Sequence, residues 1–345
     1  MKRIFLPLSV FLLTTGVVWY AAVGPRQSAS VLSPIAHVVE RPLDKYTIDN
    51  LTKRQGIASQ IVLDEAVATA SAYTAYLFHY TSDGPTSSRS ESGLRGAGKK
   101  VTGLAHIPNG SGPFPVIVQL RGYVEKEKYQ PGTGTRRSAE VFASHGFISF
   151  APDFLGYGGS DDPSEDVLEE RFQTYVAILD LVASLPSFPM VDPDRIGIWA
   201  HSNGGQIALT VLEITRGLYP TTLWAPVTRA FPYSILFYTD EAEDKGKALR
   251  KKLSDFEKTY DVDRYTMVNY LDRIAAPLQL HQGDSDEAVP VKWNDEFVAD
   301  LRKKNITIGY FLYPGTDHNL HPVWNTVIAR DLDFFTHQFT AAGRR

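Results

Sequence analysis

Six short apolar runs recur along this chain, at 115–120, 147–151, 195–199, 221–225, 277–281 and 308–313, each bounded by turn-forming residues. Runs of this length without polar alternation are expected for strands buried on both faces, the habit of parallel sheets. Segments suited to helices lie between or after them, at 137–144, 167–184, 206–216 and from about 323. Ahead of these, 72–81 alternates and is rich in aromatics, and 100–107 reads as its hairpin partner, so these two are expected as the first, antiparallel strands. The Ser/Gly-rich stretch 82–98 between them reads as a loop. Alternating strands and helices predict one α/β domain over 72–340, a mostly parallel twisted sheet flanked by helices, preceded by an extended segment over 26–71. The alternation breaks at 227–270, where Phe231, Tyr233, Phe237 and Tyr238 precede a run rich in both signs of charge at 240–253. That run is expected as a polar helix. The plain reading is a solvated surface helix; its place in the order also suits a helical cap over a substrate site.

Composition narrows the chemistry. The net charge is −4 and no basic stripe occurs, which removes nucleic acid as an expected partner. The chain has no cysteine, so disulfides, a cysteine nucleophile and thiolate metal sites are excluded. No histidine pair has zinc-helix spacing, and neither a metal nor a cofactor is expected. At the other end of the scale, Met1-Lys-Arg3 leads into twenty uncharged residues, Ile4 to Val23. Residues 1–25 therefore read as a signal peptide or a membrane anchor, with both readings open, and the basic start predicts that the rest lies outside the cytoplasm, secreted or anchored.

The tract Arg195-Ile-Gly-Ile-Trp-Ala-His-Ser-Asn-Gly-Gly205 carries the main candidate chemistry. A serine hydroxyl needs a base and an exposed perch, and a strand-to-helix turn lined with small residues supplies the perch. Ser202 is followed by Gly204 and Gly205, while Ala200 stands where the usual pattern has its first glycine. A serine before two glycines can equally be an ordinary turn, so the partners decide. Asp286 follows the run at 277–281 and lies 84 residues after Ser202; His318 follows the run at 308–313, 32 residues further on. This is the Ser, acid, His order of an α/β-hydrolase. His321, Asp284 and Glu287 are rivals, with His321 near the start of the last helix and Asp284 placed as a turn-maker. His201 and His281 read as packing groups rather than bases. An oxyanion hole would use the Asn203 amide and a second N–H from Arg121-Gly-Tyr123, assigned to Tyr123. Arg121 is a candidate for binding a substrate carboxylate, or else pairs with an acid of the fold.

Together these tracts make roughly Lys99 to Phe339 resemble the catalytic domain of the prolyl oligopeptidase family, within the α/β-hydrolase superfamily. His281-Gln-Gly-Asp-Ser-Asp-Glu-Ala-Val-Pro290 resembles the family's acid loop, and Tyr313-Pro-Gly-Thr-Asp-His318 its histidine loop. Ala151-Pro-Asp-Phe-Leu-Gly-Tyr-Gly-Gly-Ser-Asp161 is similar to the tract after the fourth strand in many of these hydrolases. The resemblance implies a serine-type peptidase acting on small peptides through an acyl-enzyme, with Ser202, Asp286 and His318 as the triad. Two departures bear on substrate. Arg121 stands where family peptidases place a tyrosine before a glycine pair, and the stretch from 43 to 112 is too short for a β-propeller at about 40 residues per blade. A carboxylesterase acting on small esters is the alternative, and a silent binding protein on a hydrolase scaffold the alternative of another class.

Overall fold

The computed structural model describes residues 40–83 and 98–342. The export or anchor segment expected at 1–25 and most of the loop expected at 82–98 lie outside them. Nine strands form one sheet: β1 (Val62–Thr69), β2 (Tyr73–Ser82), β3 (Lys99–Pro108), β4 (Phe114–Leu120), β5 (Ile148–Pro152), β6 (Val191–His201), β7 (Thr221–Trp224), β8 (Leu278–Gly283) and β9 (Ile308–Tyr313). Their order is β1-β2-β3-β5-β4-β6-β7-β8-β9. Contacts among β1, β2, β3 and β5 are antiparallel, and every pairing from β5 through β4 to β9 is parallel. This is the expected α/β-hydrolase fold.

The continuous apolar runs feed two cores because successive side chains leave opposite faces of a strand. On β4, Val116, Val118 and Leu120 enter one core while Ile117 enters the other; on β6, Ile196, Ile198 and Ala200 oppose Trp199. Helices α1 (Ile48–Arg54), α3 (Val167–Ser184), α4 (Asn203–Thr215) and α7 (Val291–Lys303) contribute to the first core; α2 (Arg136–Ser144) and α8 (Trp324–Ala342) contribute to the second. Phe335 and Phe339 of α8 lie so close to Gly197 that a Cβ there would come within 2.8 Å of the Phe335 ring.

Two expectations need correcting. The stretch before residue 72 is not merely extended: α1 and β1 belong to the packed unit. Arg54 binds both carboxylate oxygens of the buried Asp180 on α3, at 2.9 and 3.0 Å, which ties α1 to the main core. The charged helix of the interrupting segment is also not the plain solvated surface helix that its charges suggest. The segment's first helix is α5 (Tyr233–Leu236), and the charged run yields α6 (Lys247–Glu257), which begins after a left-handed Gly246. Leu253 and Phe256 of α6 are buried; the Phe256 ring lies 6.2 Å from Phe172 of α3 and 5.9 Å from Phe231. Lys252 pairs with Asp166, the N-cap of α3, at 2.6 Å. The helix is therefore anchored on the sheet's helical layer. Among the described residues no helix is long and apolar enough to cross a membrane.

Candidate active site

The site gathers at the carboxyl ends of neighbouring parallel strands, where open α/β sheets place their ligands. Ser202 separates β6 from α4 and has φ 54° and ψ −120°, a conformation that non-glycine residues adopt only under constraint. The constraint is visible in hydrogen bonds. The Ser202 amide donates to the Trp224 carbonyl at 2.9 Å, and its own carbonyl accepts from Gly205 and Val227 at 2.9 and 3.0 Å. The helix starts at once, three residues before the expected 206. Gly204 and Gly205 are required by close approach, since a Cβ would lie 2.0 Å from the Leu120 carbonyl oxygen or 2.4 Å from Pro226. Ala200 lies inside β6 with no positive φ, so glycine is not needed there.

Asp286 and His318 come together from the loops after β8 and β9, with His318 Nδ1 2.9 Å from Asp286 Oδ2. The Asp286 carboxylate is fully buried, which alone would raise its pKa; the hydrogen bond and charge of His318, the Val289 amide and Gln282 outweigh burial and hold it below the ordinary value. The Ala288 and Val289 amides donate to Oδ1 at 2.9 and 2.8 Å, and Gln282 Nε2 donates to Oδ2 at 3.0 Å. Gln282 is itself fixed by Asn294, whose side-chain amide donates to its oxygen at 2.5 Å, and Thr228 donates to Asn294 at 2.9 Å. This buried relay was not apparent in the sequence, because its members lie far apart along the chain. His318 is left with no hydrogen bond on Nε2 among the described residues.

His201 lies beside this pair. Its Nε2 meets the His318 carbonyl at 3.1 Å, so that nitrogen carries the proton, and the two rings are 4.7 Å apart. Burial first, and then the charge of His318, lower its pKa to about 4, so it remains neutral near pH 7. The expected packing role for His201 fits this contact. Two of the three rival groups have other neighbours: Asp284 accepts from the Gly315 amide at 2.6 Å, and His321 is exposed beside Asp317.

Gly122 abuts the elbow closely, since a Cβ on it would come within 3.0 Å of Ser202 Cβ and 3.3 Å of His201 Nδ1. The main chain at Gly122 thus borders Ser202, while the side chain of the next residue, Tyr123, is 77% exposed. Asn203 opens α4, where first-turn amides lack intrahelical acceptors. Arg121 is the correction. It is 3% exposed, and its guanidinium lies 4.6, 4.6 and 4.2 Å from the ring centres of Tyr129, Phe154 and Tyr157. It donates to the Gly122 and Asp153 carbonyls at 2.9 and 3.2 Å. Caged by three aromatics, it holds the loop main chain instead of facing a substrate.

An aromatic wall adjoins the elbow; its Tyr233 and Phe237 come from the segment expected as a cap, while Trp293 comes from α7, which the sequence does not link to the site. Val227, whose amide holds the Ser202 carbonyl, packs with Val289 and Trp293, and Phe237 lies 4.6 Å from Trp293. Tyr233 and Phe237 remain 51% and 42% exposed at its rim.

A nucleophile elbow on a parallel strand, followed by acid and histidine loops on later strands, defines a serine hydrolase of the α/β-hydrolase fold. The sequence profile described as the prolyl oligopeptidase family matches residues 134–342, and the chain belongs to that family. It is 25% identical over 240 residues to the uncharacterized peptidase YtmA of Bacillus subtilis (strain 168), covering 68% of this chain and 88% of that protein. Similarity extends to acyl-coenzyme A amino acid N-acyltransferase 1 of Mus musculus, at 24% identity over 68% of this chain and 57% of the relative. Among solved structures, acetyl xylan esterase 1 from a Thermoanaerobacterium species shares the fold with a TM-score of 0.57 and 17% identity, covering 85% of this chain and 92% of that one.

Proposed function

We propose that this serine hydrolase is a peptidase acting on small peptides, with Ser202, His318 and Asp286 as its triad. The observation that carries the proposal is the 2.9 Å bond from His318 to the buried Asp286, with Nε2 left without a partner and the His318 ring 4.7 Å from that of His201, the neighbour of the strained Ser202. His318 Nε2 takes the Ser202 hydroxyl proton as Oγ bonds to the scissile carbonyl carbon, and Asp286 stabilises the imidazolium. The amides of Asn203 and Tyr123 receive the developing oxyanion. As the C–N bond breaks, His318 returns the proton to the leaving amine; water, activated the same way, then releases the acyl group and frees Ser202. The wall of Val227, Phe237 and Trp293 suits an apolar residue on the acyl side. The kinship with a bacterial peptidase supports this choice.

An esterase of small acyl groups is a second reading, favoured by the exposed Tyr123 and the open rim, which leave few groups to grip an extended peptide. Placement outside the cytoplasm belongs to the same proposal, on the strength of Lys2 and Arg3 before the uncharged run. Paired assays with p-nitrophenyl acetate and with dipeptidyl or prolyl amides separate the readings. Amide turnover that is lost in Ser202→Ala is expected; ester turnover alone would favour the esterase. Unaltered activity in Ser202→Ala would exclude both.

A further inference from the structure

Apart from the aromatic wall, a cavity of about 440 Å³ bordered by His201 opens between the start of α2 and the start of α8. Arg136, Arg137, His201 and His321 line it, and no carboxylate does, although the chain carries a net charge of −4. Trp199, Trp224 and Trp324 give it flat apolar walls. Both arginines are positioned but not used up. Arg137 lies 3.6 Å over the Trp324 ring and donates through Nη2 to Asn325 at 3.1 Å; Arg136 donates through Nη2 to the Pro131 carbonyl at 3.0 Å. A guanidinium has five N–H donors in a planar fork, so each keeps donors to offer. Asp317, the acid beside His321, does not line the cavity and accepts from the Asn319 and His321 amides.

Two of its lining residues adjoin the His318 loop. His201 holds the His318 carbonyl, and Asn319 follows His318 directly. In the acyl-transfer cycle the histidine gives its proton to the departing group, so that group must leave on the histidine's side. Resting on the hydrolase reading above, we infer that this cavity receives the leaving group, and that its arginines select one bearing a carboxylate, such as the free C-terminal residue of a short peptide. Paired guanidinium groups recognise a carboxylate by charge-assisted, directional hydrogen bonds. The tryptophan walls would accommodate the remainder of that residue.

The test compares leaving groups that differ only in charge. The full-length chain and an Arg136→Gln/Arg137→Gln variant are assayed on N-acetyl-phenylalanyl-glycine and its C-terminal amide. A matching ester pair, with glycolate and glycolamide as leaving groups, reads the same preference in an enzyme that cleaves only esters. The expected wild-type preference for the free acid in kcat/KM is about ten-fold or more, falling to about two-fold or less in the variant. The ratio cancels any general loss of activity. Equal rates for acid and amide in the wild type, or a preference that survives in the variant, would overturn the assignment. Lack of turnover of both pairs by a protein whose Ser202 still reacts with a fluorophosphonate would likewise remove the leaving-group role, with the hydrolase reading intact. Failure of Ser202 to react would take down the hydrolase reading itself and this inference with it.

Discussion

Two histidine–aspartate pairs lie at the same edge of the sheet, and they have opposite surroundings. His281 on β8 meets Asp331 of α8 at 3.0 Å, and both side chains are fully buried. Every polar atom of the His281 ring is occupied: Nδ1 meets the Tyr313 hydroxyl at 2.8 Å, and Nε2 meets Asp331 and Gln279. Trp224 Nε1 adds a 2.7 Å bond to the same aspartate. His318 and Asp286 form a bond of nearly equal length, yet only Nδ1 is used and the His318 side chain is 14% exposed. The pair alone does not make a base. Under the proposed function, a free second nitrogen on a loop past the strand end, packed against His201 next to Ser202, makes His318 a base where His281 is a core fastener.

Substitutions sharpen that contrast. The largest effect is expected from His318→Ala, with kcat reduced about 10⁴- to 10⁶-fold and little change in melting temperature, measured on the same preparation by steady-state kinetics and calorimetry. Asp286→Asn should cost less, about 10³- to 10⁴-fold in kcat, because it spoils the tautomer but leaves the imidazole base in place. His281→Ala should reverse the pattern: a loss of about 3–5 kcal/mol in denaturant unfolding from stranding Asp331, with near-normal kcat per folded molecule. If His281→Ala abolished activity while leaving stability untouched, the assignment of roles would be inverted.

A histidine without an acid partner extends the comparison. His106 is buried, its Nδ1 has no hydrogen-bond partner, and burial followed by the nearby Arg136 lowers its pKa to about 4. Its folded pKa is below the unfolded value of about 6.5. The unfolded chain therefore binds the extra proton first, so stability is fully present above about pH 6.5 and lost as pH falls toward 4. Linkage puts this at about 3 kcal/mol. Replacing His106 by leucine should flatten the unfolding free energy over that pH range, read from urea midpoints at a series of pH values. The smallest expected effect is that of Gln282→Ala, about ten-fold in kcat, through looser orientation of Asp286.

Much of this was legible because local sequence carried it. Continuous apolar runs gave the parallel strands, and Ser202, Asp286 and His318 were marked by strand ends followed by turns. The misses have a common physical cause. Strand β1 is mostly exposed, so no buried face announces it. The charged run 240–253 was legible as a polar helix but concealed its anchorage, because the buried residues, Leu253 and Phe256, lie at the helix's far end. Arg121 read as a partner for a substrate carboxylate or for an acid of the fold, because its cage comes from Tyr129, Phe154 and Tyr157, spread over two later segments. The arginine-lined cavity likewise joins α2 to residues nearly two hundred positions away, a proximity that only the folded sheet creates.

The most direct test of the account is the rate at which a fluorophosphonate modifies Ser202, read by mass spectrometry of the labelled peptide in the wild type, His318→Ala and His281→Ala. The account predicts fast labelling of the wild type and of folded His281→Ala, and labelling slowed by at least about 10³-fold in His318→Ala. Labelling that survives in His318→Ala but disappears in folded His281→Ala would contradict it.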